Sequence, residues 1–329
     1  MNFMKKLQVV VLGGGISGCM CAWRLSKMGH LCTVVEKGRG VGGRMATRRM
    51  NGARIDHGAQ FFTVRNERML DLVEKMQQEQ IITQWYDRVH GRDDLGVSVR
   101  FRGVSGMTSM PKYLAKSFSS EINFFVEHVK RVEDGWLIKE RDGSTRSIFA
   151  DHLVITFPST QIIELFQRSE FELDADTMER LRRIRHTRCL ALLGLLDRPS
   201  VLKSPGTCTH PVDEVEWIAD NQVKGISEKP SFILHASDAY SQKFWDAPDS
   251  ERVPFLLSIA EENLRVKITS WASHRWGFAK PIQTFGATFW HSSENRLTLA
   301  GDGFGGERVE HAALSGWDAA NAICELFDS

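Results

Sequence analysis

An apolar run near the start of the sequence leads directly into glycines: Val9-Val10-Val11-Leu12-Gly13-Gly14-Gly15-Ile16-Ser17-Gly18. The run is short and mostly β-branched, which is typical of a buried parallel strand. Apolar residues then recur at helical spacing and stop near Gly29. In such a strand, turn and helix, Gly13 permits the turn, Gly15 lets the backbone approach a pyrophosphate, and Gly18 lets the helix pack closely. The stretch therefore predicts a dinucleotide bound at a helix N-terminus.

A second predicted strand, residues 31–35, leads to Glu36, which lies 18 residues past Gly18. The dinucleotide fingerprint has its ribose-binding carboxylate near this spacing. NAD and FAD both satisfy these features, so the glycines alone leave the cofactor open. The later tract Gly42-Gly43-Arg44 favours FAD, because it offers backbone donors and a countercharge for a buried pyrophosphate. The alternative is a solvated basic loop.

A similar pattern recurs near the end of the chain. An apolar run, residues 297–300, leads to Gly301-Asp302, and ligands collect at this edge of an open α/β sheet. A helix predicted from Val309 to Phe327 follows. The alternative interpretation is a loop with an N-capping aspartate.

Segments spread along nearly the whole chain resemble the FAD-dependent amine oxidase-like superfamily, and more narrowly renalase-like proteins. The glycine fingerprint and the Gly42-Gly43-Arg44 tract resemble the superfamily at large. The narrower resemblance rests on Asp56-His-Gly-Ala-Gln-Phe-Phe62, His274-Arg-Trp276 and Arg308-Val-Glu310. Other matching segments are 99–103, 106–107, 234–237, 300–302 and 314–316.

The fingerprint and the resemblance together imply two sets of site residues. The predicted FAD contacts are Gly13, Gly15, Ile16, Ser17, Gly18, Glu36, Lys37, Gly43, Arg44, Val129, Asp302 and Val309. The predicted substrate contacts are Gly58, Ala59, Gln60, Phe61, Phe62, Arg100, Cys189, His235, Trp276 and Arg308. A structural role stays open for His57, His235, Trp276 and the two phenylalanines. Cys189 and Gly303 depart from the residues expected in renalase-like proteins, threonine and an aromatic residue.

The resemblance implies an FAD-dependent oxidase that converts 2- or 6-dihydro isomers of NAD(P)H to NAD(P)⁺. Hydride would pass to flavin N5, and O2 would be reduced to H2O2. A dihydropyridine gives up hydride without first losing a proton, so no residue is assigned as a catalytic acid or base. By the same resemblance, the backbone N–H near Val309 faces the flavin N1–C2=O edge, where it would stabilise the charge of the reduced ring.

Three other functions remain open. A flavin amine oxidase acting on a small amine usually has a lysine near flavin N5, and Lys280 is the only lysine near a late motif. A nicotinamide-dependent dehydrogenase would leave the glycine–arginine tract and the late Gly301-Asp302 pair unexplained. A non-catalytic FAD-binding protein conflicts with no feature of the sequence.

Composition narrows the class of protein. The 329 residues carry a formal charge of +1 with dispersed Lys and Arg, so neither nucleic acid nor a membrane surface is an expected partner. The expected partners are the substrate and O2, and the expected location is the cytoplasm. The six cysteines form no CxxC pair and are expected as free thiols. No metal site is expected, because the histidines are scattered.

The predicted fold is α/β: a Rossmann-like FAD-binding domain, with a parallel sheet and a β-meander, and a second α+β substrate domain around a mixed or antiparallel sheet. The FAD-binding domain is predicted over 1–65, 104–158 and 293–329, and the substrate domain over 66–103 and 159–292. The meander is predicted from strands at 122–126, 129–132, 136–140 and 147–149, with Asp-Gly turns at 134–135 and 142–143. The substrate domain has predicted strands at 189–196, 232–235 and 270–276 and helices at 174–184 and 250–266.

Overall fold

A computed structural model describes residues 6–87, 98–141 and 144–328, with side chains described to residue 325. Its strands are β1 (Gln8–Leu12), β2 (Leu31–Glu36), β3 (Thr47–Met50), β4 (Ala53–Asp56), β5 (Ile82–Tyr86), β6 (Arg100–Gly103), β7 (Ser119–Ile122), β8 (Val126–Val132), β9 (Gly135–Glu140), β10 (Ser147–Ala150), β11 (His152–Ile155), β12 (Arg185–His186), β13 (Cys189–Leu196), β14 (Thr207–Val212), β15 (Val215–Asp220), β16 (Ser231–Ala236), β17 (Ile268–Trp276), β18 (Pro281–Gln283), β19 (Phe289–Ser292) and β20 (Leu297–Ala300). Its α-helices are α1 (Ile16–Lys27), α2 (Leu70–Gln78), α3 (Ser109–Leu114), α4 (Ser159–Arg168), α5 (Ala175–Arg183), α6 (Asp238–Lys243), α7 (Asp249–Leu264), α8 (Asp302–Gly305) and α9 (Val309–Asp328).

The chain divides into two compact units, each discontinuous in sequence. Unit 1 comprises residues 1–43, 111–185 and 281–329, and unit 2 comprises residues 44–110 and 186–280.

Unit 1 is built on a six-stranded sheet in the order β19-β20-β11-β1-β2-β7. Every neighbouring pair is parallel except β19 with β20. Both faces of the sheet are buried: Val9 and Val11 of β1 enter one core, while Val10 and Leu12 enter another. This is why the opening run lacks the polar alternation of a half-exposed strand. An antiparallel meander, β10-β9-β8, forms a second sheet of this unit.

Helices α1 and α9 cross closely in unit 1. A Cβ atom built on Gly316 of α9 would lie 2.0 Å from the carbonyl oxygen of Ser17 in α1. At position 316, where the two helices cross, any residue larger than glycine would overlap with α1. Beyond it, Trp23 and Trp317 pack with their ring centroids 5.8 Å apart.

Unit 2 is built on a five-stranded antiparallel sheet in the order β14-β15-β16-β13-β17. One face packs against α7, whose Val253, Leu256 and Ala260 belong to its core. The other face receives Ala53 and Ile55 of the β3–β4 hairpin. The hairpin turns at Asn51-Gly52, where both residues have positive φ, as a type I′ turn requires.

The structure confirms the predicted fold class, a Rossmann-like parallel sheet with a meander and a second, antiparallel sheet. It also corrects one strand. Residues 122–126 do not form the predicted strand, because Asn123 takes a left-handed φ of 54° and separates β7 from β8. The predicted turn at Asp142-Gly143 lies outside the described residues. The sequence also predicts strands over 81–89 and 97–102, of which residues 88, 89 and 97 lie outside the described residues. No helix within the described ranges is long and apolar enough to cross a lipid bilayer.

The predicted domain limits differ from the two compact units. Residues 44–65 and 104–110 were predicted in the FAD-binding domain but lie in unit 2, where β4 packs on the antiparallel sheet. Residues 159–185 and 281–292 were predicted in the substrate domain but lie in unit 1. There Leu165 of α4, Leu181 of α5 and Phe285 join the core that contains Leu12.

Candidate functional site

The glycine loop of unit 1 leaves the start of α1 open. Gly15 is the N-cap residue, with φ −70° and ψ 177°, and no side chain caps the helix. A Cβ built on Gly15 would meet no atom within 4 Å. One residue into the helix, the Ser17 hydroxyl is buried and has no hydrogen-bond partner in the described chain. Open space, uncapped N–H groups and an unpaired hydroxyl together suit an anionic group.

Glu36 lies at the end of β2 and turns its carboxylate toward the same loop. Oε2 accepts a hydrogen bond from the Gly14 N–H at 2.8 Å, and Oε1 accepts one from the Gly38 N–H at 2.7 Å. These two bonds fix the carboxylate, and each oxygen keeps acceptor capacity for a hydroxyl.

The Gly42-Gly43 pair packs against this loop from within unit 1. The Gly42 N–H donates to the Gly14 carbonyl at 2.7 Å. Gly43 has φ 52°, and a Cβ on it would lie 3.2 Å from the Gly15 Cα. Both the conformation and the close approach favour glycine at this position.

The other predicted cofactor residues of unit 1 vary in their surroundings. Ile16 is buried, whereas Lys37 is exposed. The Val129 side chain lies in the core, and its N–H donates to the Ser169 hydroxyl at 3.0 Å. Asp302 is buried at the start of α8, directly after β20.

Helix α9 begins at Val309, as predicted. Arg308 and the buried Glu310 form an ion pair beside that start. The Arg308 Nε atom is buried without a hydrogen-bond partner among the described residues. Arg308, predicted as a substrate contact, thus lies in unit 1 next to a helix N-terminus.

Arg44, the last residue of the glycine–arginine tract, lies in unit 2. Its Nη1 atom donates to the carbonyl of Phe278 at 2.9 Å. The Arg44 carbonyl accepts the N–H of Ala59 at 2.8 Å, and a Cβ on Gly58 would lie 2.0 Å from that oxygen. Gly58 and Ala59 are therefore held against the backbone of Arg44.

A buried ion pair that sequence reasoning missed holds the segment 56–60. Lys224 Nζ lies 2.8 Å from Asp56 Oδ2, and both side chains are completely buried. The same Nζ donates to the Gln60 carbonyl at 2.7 Å, and Gln60 Nε2 donates to the Asp56 carbonyl at 2.6 Å. Asp56 Oδ1 also accepts the Thr47 hydroxyl and the Met107 N–H. No local signal identifies this pair, because its members are 168 residues apart.

Gln60 was predicted to offer hydrogen bonds to the substrate. Its amide nitrogen also donates to the Gly58 carbonyl at 2.9 Å, and its Oε1 faces Lys224 Nζ at 3.3 Å. In this structure the amide is thus occupied in shaping its own loop, and its substrate role stays a prediction.

His57, His235 and Trp276 form one group in unit 2. The His57 carbonyl accepts His235 Nε2–H at 3.1 Å and Trp276 Nε1–H at 2.9 Å. Burial lowers the pKa of His57 and the pKa of His235, each to about 4. Both imidazoles are therefore neutral at pH 7. The His274 ring lies against both His57 and Trp276, at centroid distances of 5.1 and 4.3 Å.

The two predicted phenylalanines have different environments. Phe62 is buried and stacks on Phe101 at 5.5 Å, so it belongs to the core. Phe61 is partly exposed and contacts Trp85, Tyr86 and Trp217. Arg100 lies over the rings of Phe61 and Tyr86. Phe61 and Arg100, both predicted as substrate contacts, are thus neighbours.

Cys189 lies in the antiparallel sheet, and Lys280 lies in the segment between β17 and β18. Cys189 begins β13, opposite Trp276 of β17, and burial raises the pKa of its thiol to about 12. Lys280 pairs with Glu216 at 2.7 Å. None of the six cysteines, all of which lie within the described residues, forms a disulfide. In the part of the chain that the structure describes, no three His, Cys, Asp or Glu residues are arranged as metal ligands.

The glycine loop before α1 lies in a region that matches a known family of nucleotide-binding domains. Residues 11–76 match the family model described as an NAD(P)-binding Rossmann-like domain. The match begins at Val11, near the end of β1, and covers α1, β2 and the glycine tract. A 4,4'-diapophytoene desaturase of Staphylococcus aureus (strain MRSA252) is 29% identical over 92 residues, which are 25% of this chain and 18% of that protein. The chain thus matches less than a fifth of the length of this relative.

Solved structures share the fold over nearly the whole chain. Cyclohexylamine oxidase from Brevibacterium oxydans IH-35A has a TM-score of 0.76 at 15% identity, covering 98% of this chain and all of that one. A CLA-producing fatty acid isomerase from P. acnes has a TM-score of 0.69 at 11% identity, covering 98% and 99%. At these identities the similarity establishes the fold, and two neighbours that share it are an oxidase and an isomerase.

Proposed function

We propose that this protein is an FAD-dependent oxidoreductase. The observation that carries the proposal is the open start of α1, where Gly15 faces free space and the Ser17 hydroxyl has no partner among the described residues. An unpaired buried hydroxyl is costly, and a pyrophosphate oxygen would satisfy it. The residues present therefore fit the phosphate region of a dinucleotide.

FAD is the favoured dinucleotide because further features of unit 1 suit a longer ligand. Glu36 keeps acceptor capacity for the adenosine ribose hydroxyls. Gly42 and Gly43 lie against the phosphate loop, and Asp302 and the start of α9 at Val309 provide a second polar region in the same unit. The amine oxidase fold of the neighbour from Brevibacterium oxydans supports the same choice.

We propose 2- and 6-dihydro isomers of NAD(P)H as substrates. Bound FAD would supply a hydride acceptor and a route for electrons to O2, which would yield NAD(P)⁺ and H2O2. The chain then needs to position the ring and exclude water rather than remove a proton. The neutral His235 agrees with this, since its Nε2 atom already donates to the His57 carbonyl. His57 is also neutral, and its Nδ1 atom has no hydrogen-bond partner among the described residues.

The amine oxidase alternative finds less support in the lysines. Lys280 is paired with Glu216, and Lys224 is buried against Asp56 and Gln60. A lysine that served a flavin through water would need a free ammonium group, and these two are engaged in ion pairs.

Replacing Gly15 by alanine tests the cofactor assignment. The φ of −70° accepts alanine, and its Cβ would meet no protein atom. We expect the free energy of unfolding of cofactor-free G15A to lie within about 1 kcal/mol of wild type, since alanine is a poorer N-cap residue than glycine. FAD should bind at least about tenfold more weakly, because the methyl group enters the pyrophosphate space. G40A is the matched control, since Gly40 also faces open space. Equal FAD affinity of G15A and wild type would contradict the assignment.

Anaerobic mixing of the yellow protein with each reductant tests the substrate. We expect the flavin absorbance near 450 nm to bleach with 2- or 6-dihydro-NAD(P) and to persist with small amines. Bleaching by amines alone would establish the alternative. A colourless protein that releases no FAD on denaturation would refute the flavoprotein proposal itself.

A further inference from the structure

Four partly exposed aromatic side chains of unit 2 meet around one arginine. Phe61 lies with its ring centroid 6.3 Å from Trp85, 6.3 Å from Tyr86 and 5.9 Å from Trp217. Trp85 contacts Tyr86 at 4.9 Å and Trp217 at 6.3 Å. We call these four rings the aromatic cluster. They come from the loop after β4, from β5 and from β15, so three distant segments converge here.

Arg100 of β6 lies over the Phe61 and Tyr86 rings of this cluster and forms no ion pair with a carboxylate of the described residues. Its guanidinium carbon is 4.8 Å from the Tyr86 centroid and 5.4 Å from that of Phe61. Nη1 donates to the Ser98 carbonyl at 3.0 Å, and no ion pair with an acidic residue occurs within residues 6–87, 98–141 and 144–328. A guanidinium has five N–H donors in one plane. Stacking uses its face and leaves edge donors for an anion.

Trp217 supplies a second, independent sign of a missing partner. Its Nε1 atom is buried and has no acceptor in the described chain. The indole N–H groups of Trp85 and Trp276 in the same unit donate to the carbonyls of Pro205 and His57. A buried N–H without an acceptor costs free energy, so an acceptor on a bound ligand would stabilise this arrangement.

We propose that the aromatic cluster and Arg100 bind a planar ring that carries an anionic group. The ring would stack on the exposed parts of the aromatic side chains, and the anion would accept hydrogen bonds from Arg100 and from Trp217 Nε1. The identity of this ligand rests on the proposed function. We take it to be the adenosine phosphate end of the dinucleotide substrate. The Arg100 charge also repels an ammonium group, so the same site disfavours an amine.

Titration calorimetry of the FAD-loaded protein tests the proposal without turnover. The probes are AMP and 2′,5′-ADP, and adenosine is the uncharged control. Nicotinate tests whether the site prefers an aromatic carboxylate to a nucleotide. We expect R100Q to weaken AMP binding by about ten- to hundredfold, as for loss of a charged hydrogen bond. Adenosine binding should change less than threefold. W217F, which keeps a ring but loses the N–H, should weaken AMP binding by about three- to tenfold.

Two further variants test whether R100Q weakens AMP binding only by disturbing the structure of the site. R100K keeps the charge and should recover part of the AMP affinity. R49Q removes one exposed arginine of the same unit and should bind AMP as wild type does. Unchanged AMP affinity in R100Q, or an equal loss for AMP and adenosine, would overturn the proposal. Arg100-dependent binding of nicotinate but not of the nucleotides would assign the site to an aryl carboxylate and overturn the nucleotide ligand.

Measuring flavin reduction by the dihydro substrates tests the proposed anion site and the proposed substrate separately. If the dihydro substrates reduce the flavin, R100Q should raise the substrate concentration for half-maximal bleaching and leave the limiting rate within about twofold. If they do not, but AMP binding still depends on Arg100, the substrate assignment fails while the anion site stands.

Discussion

The buried Lys224–Asp56 ion pair is expected to stabilise unit 2. Both side chains are fully buried, and Lys224 also donates to Gln60. Burial lowers the pKa of Lys224, and the carboxylate of Asp56 opposes that shift. Removing one member of a buried pair leaves the other charge uncompensated and typically costs about 3–5 kcal/mol.

We therefore expect K224M to lower the free energy of unfolding of unit 2 by about 3–5 kcal/mol in urea. K229M is the control: Lys229 is exposed in the same loop and donates to the Asn51 carbonyl, so its loss should cost less than about 0.5 kcal/mol. A K224M protein within 1 kcal/mol of wild type, on the order of an ordinary substitution, would show that the pair contributes little.

The Lys224–Asp56 pair is an example of a contact that could not be predicted from the sequence. Glu36 was predicted from its spacing after Gly18, because a fixed fingerprint links the two, and the structure brings its carboxylate to Gly14. Nothing comparable links Lys224 to Asp56, which meet only once unit 2 has folded. The companions of Phe61 were missed for the same reason, since Trp85 and Trp217 reach it from separate strands.

Strands and helices with a clear apolar pattern in their own sequence were predicted correctly. The run 9–12 became β1, and the predicted strand 189–196 coincides with β13. β7 was misplaced because its Ser119-Ser-Glu-Ile122 sequence is polar and its parallel partner, β2, is distant in sequence. The β3–β4 hairpin was missed although Asn51-Gly52 is a strong turn signal.

Replacing Gly316 by alanine tests how closely α1 and α9 cross, because helix propensity and steric overlap predict opposite changes in the free energy of unfolding. In a helix, alanine is favoured over glycine by about 1 kcal/mol, so G316A should stabilise α9 if space were available. A Cβ there would instead lie 2.0 Å from the Ser17 carbonyl oxygen and 3.2 Å from the Cys21 nitrogen, which are backbone atoms.

We expect G316A to lower the free energy of unfolding of unit 1 by about 1–3 kcal/mol, as overpacking does. It should also weaken FAD binding, because α1 would shift at Ser17. Urea unfolding and FAD titration measure the two effects, with G40A again as the open-space control. A stabilised G316A would mean that the helices separate without strain.

Each of the two units contains histidines that the folded protein keeps neutral. In unit 1, His152 Nε2 lies 2.8 Å from the Thr298 hydroxyl, and His291 Nδ1 approaches the same oxygen at 2.8 Å. Burial lowers the pKa of His152 to about 3. In unit 2, burial lowers the pKa of His57 and His235 to about 4. An unfolded histidine has a pKa of about 6.5.

The sign of the pH effect follows from proton binding. Above pH 6.5 these imidazoles are neutral in both states and add no pH dependence. As the pH falls from 6.5 toward 4, the unfolded chain binds protons that the folded chain excludes, so the folded state loses stability. Each fully differing histidine contributes a slope of about 1.4 kcal/mol per pH unit in this window.

We therefore expect the free energy of unfolding to decline steeply between pH 6 and pH 5, as measured by urea titration at fixed ionic strength. H152Q, whose amide nitrogen can still reach Thr298, should reduce the slope for unit 1 by about 1.4 kcal/mol per pH unit. H210N is the control, because His210 is exposed and has the left-handed φ that asparagine tolerates. Its slope should equal that of wild type. An unchanged slope in H152Q would mean that His152 takes up its proton in the folded state, and that the contact with Thr298 does not hold it neutral.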